Sequence, residues 1–136
     1  MAQATRTVGP GTIINDANAP TLVATGNVTS DTTGSWVQVD RPCDVQVEMA
    51  LGTIGGSVTG FDVEIQGADD GSGTNTVSYG RFDTVAHTDD DTTRRMAAHV
   101  YKPYMRAVMD HSGSGNVGVT IKVRTTHNQV TDSTTA

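Results

Sequence analysis

Three segments of this chain place apolar side chains at every second position, with mostly polar residues between them. They are residues 44–51 (DVQVEMAL), 61–67 (FDVEIQG) and 117–124 (VGVTIKVR). A period of two places every apolar side chain on one face of a β-strand and every polar side chain on the other. Strands of this kind are typical of antiparallel sheets that have a core on one side and water on the other. The three segments therefore predict half-buried antiparallel strands.

Weaker strand patterns extend the set to eight. They occupy residues 21–24, 36–39, 77–82, 98–101 and 104–109. Glycine-rich turns separate the strands, as at residues 55–56, 69–73 and 111–115. Eight short strands with regular turns predict an all-β fold, a single antiparallel β-sandwich of the jelly-roll or Greek-key type. The predicted core includes Val45, Val47, Met49, Phe61, Val63, Ile65, Val119 and Ile121.

Residues 96–105 are ambiguous, because their apolar side chains also recur at helical spacing. A helix through them would include Pro103, at a cost of about 3 kcal/mol. We therefore predict two extended pieces that meet at residues 102–103, the second forming a hairpin with residues 117–124. A short helical turn near residues 92–97 stays open as an alternative.

Both ends of the chain lack a sustained period. Residues 1–20 contain Pro10, Pro20 and a single apolar pair, Ile13 and Ile14, and residues 125–136 are polar and rich in threonine. The sequence therefore predicts an extended N-terminal arm at residues 1–20, a sandwich domain at residues 21–124 and a polar tail at residues 125–136.

The net charge is −6, from 9 basic and 15 acidic residues, which argues against a nucleic-acid partner. No apolar run approaches the roughly 20 residues that a membrane span needs, so no membrane partner is expected. The charge is unevenly placed: residues 60–95 sum to −5 and residues 96–136 to +2. Such asymmetry suits docking on a partner or on copies of the chain, although it also serves solubility.

Several patterns resemble metal sites, and each has a plainer interpretation. His87 stands beside three aspartates at residues 89–91, which is also typical of a solvated acidic loop. Asp69 and Asp70 begin a loop that lacks the carboxylate spacing of a calcium-binding EF-hand, and a hairpin turn is the simpler account. Cys43 is the only cysteine, which excludes a zinc site built from several cysteines and an intrachain disulfide. We expect no metal and no cofactor.

The catalytic patterns are equally incomplete. Cys43 has no nucleophile signature around it, and Ser114 lacks the spacing of a serine nucleophile elbow. Asp62 and Glu64 share the polar face of one predicted strand, where any alternating strand carries charge. The sequence therefore predicts no catalytic residue and a protein that is not an enzyme.

Carbohydrate binding is an alternative that many β-sandwiches support. Sugars usually stack on aromatic side chains, and the chain offers Trp36, Tyr79, Tyr101 and Tyr104. Because Trp36 lies in an apolar alternation, we predict that it belongs to the core.

Four stretches between residues 61 and 124 carry a resemblance to a known family. They read FDVEIQGADDGSG, VSYGRF, HVYKPYMRAVM and VGVTIKVR. In this pattern the chain resembles the capsid decoration, or cement, proteins of tailed bacteriophages. The resemblance implies a homotrimeric β-sandwich that is made in the host cytoplasm, sits on the outer capsid surface and bridges subunits of the major capsid protein. The alternatives are a phage tail or neck component and a carbohydrate-binding or adhesin module.

The N-terminal arm is the predicted partner-binding segment. Ile13 and Ile14 would serve as apolar anchors and Arg6 as a charge contact with an acidic groove. The family has no catalytic residues, so none is expected here.

Overall fold

The computed structural model describes residues 20–39 and 43–125. Nine strands and one short 3-10 turn, His87–Asp89, make up this part of the chain: β1 Thr21–Val28, β2 Thr32–Thr33, β3 Val37–Gln38, β4 Cys43–Ile54, β5 Val58–Ala68, β6 Val77–Arg81, β7 Thr93–Val100, β8 Tyr104–Gly113 and β9 Val117–Thr125. The first sheet has the order β1-β9-β4-β7, and the second has the order β2-β8-β5-β6 with β3 also paired to β8. All pairs are antiparallel, which confirms the predicted β-sandwich. No helix in the described residues is long and apolar enough to span a membrane.

The strand order is that of a jelly roll. We count β2 and β3 as one interrupted strand. The first and last strands of the domain, β1 and β9, then pair with each other. Strands β2 and β3 then pair with β8, β4 pairs with β7, and β5 pairs with β6. The chain thus forms a nested antiparallel ribbon that is rolled into two sheets.

The core lies between the inward faces of the two sheets. All eight residues predicted for it are buried, and seven of them have no exposed surface: Val45, Val47, Met49, Phe61, Val63, Ile65 and Ile121. The alternation in β4, β5 and β9 therefore assigned the inward faces correctly. Met105, Ala107 and Met109 of β8 complete the same cluster.

The predicted hairpin between residues 104–109 and 117–124 is wrong. Strand β8 pairs with β5 in the second sheet, whereas β9 pairs with β1 and β4 in the first. The turn between them crosses from one sheet to the other and uses positive φ angles at Gly113 and Gly115. A Cβ at Gly113 would collide with backbone atoms of Ser57 and Thr59, so only glycine fits there.

The helical alternative for residues 92–97 is also wrong. These residues enter β7, in which Ala98 and Val100 are buried and Met96 packs against the core with a period of two. Both a helical spacing and a strand spacing fit the sequence here. Only the strand spacing places Met96, Ala98 and Val100 on the same face, towards the core.

Candidate functional site

The two ends of the described chain meet at one end of the sandwich. The carbonyl oxygen of Pro20 accepts a hydrogen bond from the N–H of Val123, and Thr125 pairs with Val45. The β7–β8 loop at residues 101–103 lies at the same end, because Val100 pairs with Cys43. The β5–β6 loop at residues 69–76 lies beside it, because Ala68 pairs with Tyr104. We call this the terminal end. The segments that precede residue 20 and follow residue 125 therefore attach close together.

A small aromatic cluster marks the terminal end. It consists of Tyr79, Tyr101 and His99, with Tyr101 edge-on to Tyr79 at 5.6 Å between ring centroids and stacked beside His99 at 6.5 Å. The Tyr79 hydroxyl oxygen accepts a hydrogen bond from the N–H of Lys102, which fixes the loop that carries Tyr101. Within the part of the chain that the structure describes, Tyr101 is the one large hydrophobic side chain that is exposed, at 49%. The cluster is a partly apolar surface patch whose side chains contact one another.

Ionic and polar contacts surround the aromatic cluster. Nδ1 of His99 lies 2.6 Å from a carboxylate oxygen of Asp44, and Nζ of Lys102 donates to Asp69 at 2.7 Å. The Lys102 ammonium group, with help from the Asn75 amide, holds the pKa of the Asp69 carboxyl below its usual value. Asp69 is therefore ionised at neutral pH and ties the β5–β6 loop to the β7–β8 loop.

The loop at residues 69–76 is the hairpin turn that the sequence predicted. The Asp70 carboxylate accepts hydrogen bonds from the hydroxyl and N–H of Thr74 and from the N–H of Ser72. These bonds lower the pKa of Asp70, the Thr74 hydroxyl contributing most. The carboxylates of Asp69 and Asp70 are thus engaged by the loop itself and by Lys102. They shape and anchor the turn.

Trp36 is not a core residue, contrary to the prediction. Val39 is the residue of this segment that enters the core, so the period of two places Trp36, three positions earlier, on the outer face. There Trp36 is half-buried, with the Arg106 guanidinium 4.2 Å from its ring centroid and Gly73 against the ring. The guanidinium covers one face of the indole, which reduces the flat surface that a sugar would need.

The predicted partner-binding residues Arg6, Ile13 and Ile14 lie outside the described residues. Cys43 is the first residue of β4, and the position of its side chain is likewise outside the description. The predicted arm contact stays a prediction.

The segment around His87 takes part in structural contacts. His87 belongs to the 3-10 turn, and the nearby Asp89 accepts a hydrogen bond from the N–H of Ala86 and pairs with Arg94 at 2.9 Å. Within residues 20–39 and 43–125, no group of three or more histidine, cysteine, aspartate or glutamate side chains could hold a metal ion.

The two carboxylates of β5 lie on its outer face, as predicted. Asp62 is hydrogen-bonded to Thr84, and Glu64 accepts a hydrogen bond from the Gln66 amide. Burial raises the pKa of Glu64, but hydrogen bonds from Ser78 and Gln66 and the charge of Arg81 outweigh it and leave the pKa below its usual value. Both side chains thus serve a surface hydrogen-bond network.

Two charged features were not predicted from the sequence. A cleft of about 480 Å³ is lined by three arginines, Arg81, Arg94 and Arg95. The Asp110 carboxyl is hydrogen-bonded to that of Asp31, and this contact raises the pKa of Asp110. Each group joins residues from different strands or loops, so no local motif could have indicated either one.

No family model matches this chain, and no curated protein matches it. Among solved structures, it is similar to a carbohydrate-binding module, CBM6cm-2 of lichenase 5A from Cellvibrio mixtus, in complex with cellotriose. The two are 14% identical, the match covers 84% of this chain and 96% of that one, and the TM-score is 0.43. A likeness of this strength indicates neither a family nor a ligand.

Proposed function

We propose that the chain is a structural virion protein that binds the outer surface of a phage capsid and bridges major capsid subunits. The resemblance of residues 61–124 to capsid decoration proteins motivates the proposal. The observation that carries it is the terminal end, where both terminal segments attach beside an exposed, rigidly held tyrosine. A domain that carries both terminal segments and an aromatic patch on the same side is suited to binding an extended protein surface.

The aromatic cluster is the part of the terminal end that docks on the capsid. Tyrosine is enriched among residues that dominate protein interfaces, because it buries a large area and has few rotatable bonds. Tyr101 is already held by Tyr79 and His99, so little side-chain entropy is lost when it is buried.

The terminal segments extend the same contact. Burial of Ile13 and Ile14 would stabilise the complex by roughly 3–6 kcal/mol before ordering costs. The entropy lost on fixing the backbone around them opposes this gain by roughly 1–2 kcal/mol per residue, so only a few residues can be fixed at a net gain. The remaining contribution of each copy is small, but it is multiplied when several copies are linked on one shell.

The protein would stabilise the capsid by holding neighbouring subunits together. A copy that bridges two capsid subunits binds the assembled shell and not the separated subunits. Binding therefore shifts the equilibrium towards the assembled shell by mass action.

The test is co-sedimentation of the full chain with undecorated capsids of the phage that encodes it. Tyr101→Ala is expected to weaken binding by about tenfold to a hundredfold, as loss of a central interface tyrosine does. Tyr101→Phe, the matched control, keeps the ring and is expected to bind like the native chain. No binding to capsids would overturn the proposal.

The number of copies per particle separates the alternatives. A decoration protein occupies hundreds of sites, whereas about a dozen copies would indicate a tail or neck component. Binding to a glycan array that Tyr101→Ala abolishes would instead favour a carbohydrate-binding module.

A further inference from the structure

The outer face of the first sheet carries a group of positive charges. Glu48 in β4 pairs with Arg95 of β7 on one side and with Lys122 of β9 on the other. Residues that pair directly point to the same side of a sheet. This side is the outer one, because the neighbouring residues Val47 and Ile121 are fully buried in the core.

A single carboxylate serves the cations of this group. Nη2 of Arg95 lies 3.1 Å from one oxygen of Glu48, and Nε of Arg124 lies 3.3 Å from the other. Lys122 forms no ion pair with another residue of the described chain. Three positive charges therefore surround one negative charge. We call Arg95, Lys122 and Arg124, with Glu48 at their centre, the basic patch.

The cations of the basic patch are more accessible than its carboxylate. The side chain of Arg95 is 51% exposed and that of Arg124 is 36% exposed, whereas that of Glu48 is 18% exposed. Lys122 is partly exposed. A partner that approaches this face therefore meets the guanidinium and ammonium groups first.

The outer face of the second sheet has the opposite balance of charge. Asp62 and Glu64 of β5 lie there together with Asp110, which pairs with Asp62. The cations on these strands are Arg81, opposite Glu64, and Arg106 of β8. Three carboxylates thus stand against two guanidiniums. In a chain whose net charge is −6, the positive charge of the basic patch is a local feature of one face.

The basic patch is continuous with the terminal end. Arg124 lies opposite Gln46, and Asp44 is the next residue of β4 on the same face. His99 is opposite Asp44, with its Nδ1 2.6 Å from the carboxylate, and its ring is stacked beside Tyr101. Asp44 lies roughly 13 Å along the strand from the centre of the patch, a span that one interface of about 800 Å² per partner can cover.

We propose that the basic patch binds a carboxylate-rich surface of the major capsid protein, beside the contact made by Tyr101. This inference rests on the proposed function and adds the chemistry of the partner surface. Guanidiniums bind carboxylates through paired, charge-assisted hydrogen bonds, and the patch has fewer carboxylates than cations. A nucleic acid fits less well, because both the central Glu48 and the net charge of −6 repel phosphates.

The experiment is co-sedimentation of the full chain with undecorated capsids at two salt concentrations. Binding of the native chain is expected to be weaker at about 500 mM than at about 50 mM NaCl, because salt screens exposed charges. Lys122→Gln removes one charge without breaking an ion pair within the described chain. It is expected to weaken binding at low salt about threefold, as loss of one exposed charge pair does, and to reduce the dependence on salt.

Two control variants separate local charge from total charge. Lys122→Arg keeps the charge and is expected to bind like the native chain. Arg81→Gln removes the same charge from the opposite sheet and is expected to leave binding unchanged. Tyr101→Ala weakens binding without changing its dependence on salt, because tyrosine is uncharged at neutral pH. Thermal melts by circular dichroism verify that each variant is folded.

The outcomes distinguish this inference from the proposed function. If the native chain binds capsids but Lys122→Gln and Arg81→Gln weaken binding equally, or neither does, the inference is wrong and the function stands. If the native chain binds no capsids, both are wrong. Binding of duplex DNA that Lys122→Gln weakens as much as capsid binding would also overturn the assignment to a protein surface.

Discussion

The backbone oxygen of Pro20 and the N–H of Val123 are joined by a hydrogen bond of 2.8 Å. Pro20 is buried, and the bond continues the pairing between β1 and β9 by one residue. The sandwich therefore includes Pro20, and a truncation that spares the fold must end at residue 19.

Deletion of residues 1–19 is expected to leave the domain folded, because all the described strands lie between Thr21 and Thr125. Under the proposed function, the shortened chain binds capsids much more weakly than the full chain. Deletion of residues 1–20 is the matched comparison, since it also removes the acceptor for Val123 and should cost about 1 kcal/mol more in unfolding free energy. Circular dichroism, urea unfolding and capsid co-sedimentation measure these effects. Capsid binding as tight as that of the full chain would show that the arm is not the anchor.

Ile65→Asp is expected to unfold the domain, because Ile65 is fully buried and an unpaired charge would enter the core. Ile65→Val, which keeps the shape and removes one methylene group, should cost about 1 kcal/mol. Thermal melts by circular dichroism test both. A soluble Ile65→Asp protein with a cooperative melt would contradict the assignment of this face.

Asp110→Asn is expected to raise the melting temperature at pH 7. The contact with Asp31 raises the pKa of Asp110 in the folded protein, so the folded state binds its proton more tightly than the unfolded chain. As the pH rises from the ordinary aspartate pKa through this raised pKa, the free energy of unfolding falls. The advantage of asparagine should therefore shrink below about pH 4. Thermal melts between about pH 3 and pH 7 measure the difference in melting temperature between the variant and the native protein, and Asp90→Asn is the exposed control. A lower melting temperature of Asp110→Asn at pH 7 would refute the expectation.

Asp70→Ala is expected to show the opposite dependence on pH. Hydrogen bonds from Thr74 and Ser72 lower the pKa of Asp70, so its carboxylate stabilises the fold above the ordinary aspartate pKa. This contribution is lost as the pH falls through the lowered value. The variant should therefore melt earlier than the native protein at pH 7, and the difference should narrow in acid. Asp70→Asn retains a carbonyl acceptor, so its melting temperature should fall less than that of Asp70→Ala. An equal fall in the two variants would count against the hydrogen bonds from Thr74 and Ser72 to residue 70.

Gly67→Ala tests the packing beneath the aromatic cluster. A Cβ at residue 67 would overlap the ring and hydroxyl of Tyr79, so Tyr79 would have to move away from Lys102. We expect a loss of about 2 kcal/mol in unfolding free energy. Gly56→Ala adds the same methyl group where nothing lies within 4 Å and should change stability by less than about 1 kcal/mol. Chemical unfolding compares the two, and equal effects would argue against close contact of Tyr79 with the strand.

Local pattern predicted the faces of the strands but not their partners. The alternation in β5 assigned Phe61, Val63 and Ile65 to the core because a period of two follows from backbone geometry alone. The same alternation does not indicate which strand lies alongside. The order of the segments in the chain favours a pairing of β8 with β9, because they are neighbours in sequence. The jelly roll instead pairs β8 with β5.

The candidate site was predicted even less completely, because its parts come from distant residues. The sequence shows Tyr79 and Tyr101 as two separate aromatic residues, and their contact depends on the position of the β7–β8 loop beside strand β6. Asp31 and Asp110 are brought together by the pairing of β2 with β8, which no spacing in the sequence indicates.

The nested ribbon has a consequence for synthesis on the ribosome. Thr21 in the first strand pairs with Lys122 in the last, so β1 has no strand partner until almost the whole domain has been translated. Among the strands of residues 20–39 and 43–125, only β5 and β6 are adjacent in the chain and also paired. Long-range pairing of this kind slows folding, because the entropy of closing a large loop is lost before the contacts form. The nascent chain must therefore keep its apolar strands from premature association until β9 emerges and closes the first sheet.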